Sequence, residues 1–173
     1  MQDAAGHILV GAEQTPTRFI KGMAANLFRF NTMVDRDARR VGALAPAEIV
    51  ERLRSRTSTT NRPPAPVVTM LGEITVHGED IRRALGLPGY DDQQSVAACL
   101  DMFSHANFPV GGKKRIAGLR LVATDIGWSY SEGPEVSGPG LSLLLAMTGR
   151  TTGLKGLGGD GLATLQSWMA TRG

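Results

Sequence analysis

Apolar positions over the first hundred residues recur at steps of three and four, the spacing of a helix face, and alternate singly only near residue 120. Residues 1 to about 12 read as one helix. Thr15-Pro16 then supplies a start signal, with proline tolerated in the first turn. Phe19, Met23, Leu27, Phe30 and Val34 follow at helical steps and predict one apolar stripe down a long helix that dissolves near Gly42. A short helix is expected from Pro46 to about Arg56, with Ile49, Val50 and Leu53 on one side. The prolines at 63, 64 and 66 make residues 58–66 a loop. Helical periodicity resumes over residues 67–86 and stops at Gly86, a C′ glycine followed by Pro88. A further helix is expected from Gln93 to Ala106.

The pattern then changes. Gly111-Gly112-Lys113-Lys114-Arg115 reads as a basic turn, and Leu119, Leu121 and Ala123 alternate with Arg120, Val122 and Thr124 as in a strand. Further strands are expected around 128–132 and 135–136, with short helices at Leu141–Met147, ending at Gly149, and at Leu162–Met169. The expected class is α+β: a helical part over residues 1–108 and a small mixed α/β part over residues 109–173.

Composition agrees with a folded chain. Of 173 residues, 42% are hydrophobic and 20% charged, near the globular average. No apolar run is long enough to cross a bilayer, and the start lacks the basic and apolar regions of an export signal, so a cytoplasmic protein with no membrane partner is expected. The single cysteine, Cys99, cannot form an internal disulfide and is expected in the core. The net charge of +3 is small. Its surplus lies before Arg62, in arginines mixed with Asp35, Asp37, Glu48 and Glu51, and reads as a solvated helical face; no nucleic-acid partner is expected. Gly156, Gly158 and Gly161 satisfy GxGxxG in form, but no strand is expected before them, so a dinucleotide site is rejected.

The candidate chemistry lies in LGEITVHGEDIRRAL. At about 100° per residue, Met70, Ile74, Ile81, Ala84 and Leu85 fall around His77, which is therefore expected to point inward, with Glu73 and Asp80 on the same side. A carboxylate and an imidazole drawn from water together need compensation. A shared divalent cation supplies it, as does a Glu–His or Glu–Arg hydrogen bond lining a bundle. A second imidazole must be His7 or His105; His7, among Ala4, Ala5, Gly6 and Gly11, sits where another helix can approach closely and is preferred.

Taken together, AAGHILVGAEQTP, MVDRDARR, LGEITVHGEDIRRALGL, GLRLVATDIGWSYSEGPEVSGPG and LSLLLAMTGR resemble the mycothiol-dependent maleylpyruvate isomerase family of the DinB-like superfamily. The resemblance runs over nearly the whole chain. It implies a four-helix bundle that binds a divalent metal, usually zinc, through His7, Glu73 and His77, followed by a small sterol-carrier-like α/β domain. Three protein ligands with an open position also suit a catalytic zinc site. Members carry another helix before the His-bearing one, so the expectation is a start that lies upstream, a piece of a longer chain, or an incomplete bundle whose exposed apolar groove a homodimer could cover.

The activity implied by the resemblance uses mycothiol as cofactor. Its thiolate adds to the conjugated double bond of maleylpyruvate, the resulting single bond rotates, and the thiolate leaves to give fumarylpyruvate. The same thiolate attacking an electrophilic carbon and staying there would be S-transfer. Arg120 is a candidate anchor for a substrate carboxylate, with a solvent-facing strand arginine as the alternative, and Asp80 a candidate orienter of His77. A different class of reading is a non-catalytic module that binds a small apolar molecule, its metal structural or absent.

Overall fold

The computed structural model describes residues 2–90, 92–108 and 110–170. Met1 and Pro109, the expected first helical residue and one flank of His105, lie outside them, as do residues 171–173. The described residues mix helices with one three-stranded sheet, an α+β arrangement, and form two compact units that divide between Gly89 and Tyr90.

The first unit holds α1 (Gln2–Glu13), α2 (Pro16–Ala25), α3 (Phe30–Gly42), α4 (Pro46–Arg54) and α5 (Val67–Ala84). Thr15 caps α2 by accepting from the Arg18 amide, and Pro16 opens its first turn, as expected. The expected long helix is broken. Leu27 and Phe28 adopt left-handed φ values of 51° and 58°, so the chain leaves α2 after Ala25 and starts again at Phe30. The stripe does not survive the turn: α2 buries none of its residues, and α3 buries Met33, Val41 and Gly42 in place of Val34.

Leu9 of α1, Val41 of α3 and Ile49 of α4 form the dry centre, bordered by Ala5, Val10, Leu44 and Leu53. At the rim, Arg52 grips the nearly buried Glu13 carboxylate with two bonds of 3.1 and 2.6 Å, tying the end of α1 to α4. Arg36, Arg39, Arg40, Arg54 and Arg62 are exposed, as expected of a solvated face.

α1 packs closely on α3 because Gly6 has no side chain. A Cβ there would lie 2.8 Å from the Gly42 amide nitrogen and 2.9 Å from the Ala38 carbonyl oxygen, so only glycine permits this approach.

The second unit contains α6 (Gln93–His105), α7 (Gly112–Arg115), β1 (Arg120–Ala123), β2 (Trp128–Tyr130), β3 (Glu135–Gly138), α8 (Gly140–Met147), a 3₁₀ turn over Thr151–Gly156 and α9 (Leu162–Ala170). β1 lies centrally, antiparallel to β2 and parallel to β3. Its Leu121 and Ala123 point inward with Val136 of β3. α8 has no polar face, and every residue but Leu141 is buried, as such a sequence requires.

The boundary expected near residue 108 differs from the observed division. α6 is grouped with the second unit because its apolar side, Val96, Cys99, Leu100 and Phe103, is buried while the helix packs on α8 and α7. Cys99 is fully buried and in no disulfide. The glycine run lies along the sheet: Gly158 exchanges two backbone bonds with Ser137 of β3, and Gly161 donates to Glu135, so these residues continue the sheet edge.

Candidate metal centre

Two neighbouring helices of the first unit build the site. α1 presents His7 one residue after its closest approach to α3, and four residues on, Gly11 lets Met70 of α5 come near. α5 answers with Glu73 and His77, one turn apart on a shared face.

The three side chains converge. His7 Nε2 donates to Glu73 Oε2 at 2.6 Å, His77 Nε2 lies 3.3 Å from the same oxygen, and the two imidazole centroids are 4.5 Å apart. One ligand atom from each of the three lies within 4.8 Å of the others, so the group could hold a metal ion. All three remain between 20% and 25% exposed, which leaves the cluster open on one side.

The chemistry of the donors fits a cation. Two ring nitrogens and a carboxylate oxygen aimed at one point repel each other unless positive charge lies between them, as protons or as a metal. On its other ring nitrogen, His77 Nδ1 lies 3.2 Å from Asp80 Oδ2, one turn further along α5. A proton held there by Asp80 leaves the Nε2 lone pair on the side of Glu73, the outer-shell arrangement of a metal-binding histidine.

The expected facing of α5 needs correction. The residues it buries most deeply are Gly72, Thr75, Val76 and Glu79, roughly opposite the side expected to be dry, while Ile74 and Leu85 are more than half exposed. Periodicity reported where the apolar groups lie, but α1 covers the His77 side with glycine and a polar imidazole. The result there is a cluster of partly buried polar side chains and not a dry core.

Burial is the largest influence on the Glu73 carboxyl and opposes its charge, but the hydrogen bonds and charges of His7 and His77 together outweigh it. The carboxyl is held at about 2, against an ordinary value of 4.5. A depressed carboxyl contributes stability above its unfolded value and loses it as pH falls toward the folded one. Chelator-treated protein should therefore lose on the order of 2 kcal/mol more than Glu73→Gln between about pH 4.5 and pH 2, allowing for partial exposure. Urea unfolding at stepped pH measures this, and parallel pH profiles for the two proteins would contradict it. For the metal, Asp80→Asn should weaken zinc affinity by about 10- to 100-fold with the fold intact; unchanged affinity would remove Asp80 from the site.

Of the other candidates, His105 belongs to the second unit, where its Nδ1 bonds the Asp101 carbonyl at 2.8 Å and its ring meets Tyr130 edge-on. Arg120 of β1 is half exposed and lies 3.5 Å from Glu135, its partner across the parallel register, so it takes the form of the solvent-facing strand arginine. Comparison with protein-family models, curated proteins and solved structures yields no match to this chain.

Proposed function

We propose that this chain is a metal-dependent and mycothiol-dependent enzyme of the maleylpyruvate isomerase family, carrying out cis–trans isomerisation or S-transfer. The observation that carries the reading is the convergence of His7, Glu73 and His77 from two helices onto one point, with Asp80 behind His77. Bound there, a zinc ion would supply positive charge that lowers the pKa of a thiol until thiolate, the nucleophilic form, prevails near neutral pH. The residues divide the remaining work. His7 and His77 offer neutral nitrogen donors, and Glu73 adds one negative charge, so the set leaves a net positive charge to act on sulfur. Asp80 holds the ring of His77 in orientation. The partly exposed side of the cluster gives a cosubstrate its way in.

Zinc-loaded protein should convert maleylpyruvate to fumarylpyruvate, or couple mycothiol to an electrophile, only when mycothiol is present, and chelation should abolish it. Nuclear magnetic resonance of the product mixture reads both outcomes. Zinc retained without any thiol-dependent turnover would instead mark a non-catalytic module.

A further inference from the structure

We infer that the corner between α2 and α3 docks on the surface of an anionic lipid bilayer, with Leu27 and Phe28 entering the interface and the surrounding basic residues holding it there. The corner breaks two local rules at once. α2 ends in a Schellman arrangement, the Phe28 amide donating to the Met23 carbonyl at 2.8 Å and the Leu27 amide to Ala24 at 3.2 Å. The same arrangement ends α5, where the Leu87 amide donates to Arg82 and the left-handed residue is Gly86. At α2 the left-handed position holds leucine, which the backbone disfavours, and the residue is 76% exposed, where water disfavours its apolar side chain. Phe28 beside it is 75% exposed, and Ile20, nearly two turns back, is 63% exposed.

The charge along this stretch is predominantly positive. From Pro16 to Gly42 the basic residues are Arg18, Lys21, Arg29, Arg36, Arg39 and Arg40, against Asp35 and Asp37 alone, and no acid lies between Glu13 and Asp35. Lys21 and Arg29, both exposed, flank the apolar tip. Apolar side chains at the point of a basic surface match a layer with anionic headgroups above hydrocarbon. A nucleic acid would use the arginines and gain little from Leu27. A second copy meeting this corner about a twofold axis would set like charge against like, and three side chains fall well short of the ~800 Å² per partner that stable dimers bury. No apolar run in the sequence is long enough to span, so the proposed contact is with one leaflet, a surface association that the expectation of no membrane partner, drawn from the lack of such a run and of an export signal, did not consider.

The test is cosedimentation of the full chain with vesicles of equal phosphatidylglycerol and phosphatidylcholine, and with phosphatidylcholine alone. Binding is expected only to the anionic vesicles, falling with salt and by roughly fivefold for each of Lys21→Gln and Arg29→Gln. Leu27→Ser combined with Phe28→Ser should lose at least about tenfold. Leu27→Gly relieves the backbone and should melt no lower than the parent while still binding vesicles more weakly. The inference is overturned by absence of binding to anionic vesicles, by binding that the double variant leaves unchanged, by duplex DNA bound as tightly by the double variant as by the parent, or by a dimer that the double variant disperses.

Discussion

His77→Ala is expected to lower zinc affinity by more than 100-fold and to leave the purified chain without zinc. The loss exceeds the roughly 10- to 100-fold cost of removing an outer-shell partner because it takes away a ligand atom and strands Asp80 together with it. His7 and Glu73 would remain, a pair 2.6 Å apart that satisfies itself by one hydrogen bond and no longer needs a cation. Since His77 is a fifth exposed, its truncation opens no large dry cavity, and helix content and melting of the metal-free protein should change little. Competition against a chromophoric chelator measures the affinity. A variant that holds zinc as tightly as the parent would exclude His77 from the ligand set.

Gly6→Val should be the most disruptive single change near the site, costing about 3 kcal/mol and most of the zinc binding with it. The atoms a side chain would strike belong to the backbone of α3, at Ala38 and Gly42, and no rotamer change relieves them. α1 must move away, carrying His7 from Glu73 and opening the packing of Leu9 against Val41 and Ile49. Chemical unfolding together with zinc titration separates the two effects. Parent-like stability and affinity would mean that α1 and α3 are not in the close contact described.

The parts of this chain legible in its sequence are those where one local signal decides. Thr15-Pro16 sets the start of α2, Gly86 the end of α5, and the unbroken apolar run of α8 its burial. The spacing of Glu73 and His77 placed them on one face, and the small residues around His7 marked α1 as a helix that others approach closely. Three features escaped. The break at Leu27 and Phe28 carries no glycine or proline, and the apolar spacing runs straight through it. The facing of α5 depended on what packs against it, which its own periodicity does not contain. α6 resembles the helices before it in composition, yet its apolar side is committed to α8, a tertiary choice. Spacing put Glu73 and His77 on one face, the small residues around His7 made it preferred over His105, the three as a ligand set were what the resemblance implied, and the structure brings the three side chains together.

The central claim is a metal held by three side chains that leaves room for sulfur, and cobalt(II) reports on both halves in one experiment. Titrated into chelator-treated protein, it should saturate at one ion per chain with the visible absorption of a four-coordinate site. Addition of mycothiol should then raise a sulfur-to-cobalt charge-transfer band that is absent in His7→Ala, Glu73→Gln and His77→Ala. Failure of the parent to bind cobalt, or bound cobalt whose spectrum mycothiol leaves unaltered, would contradict the account.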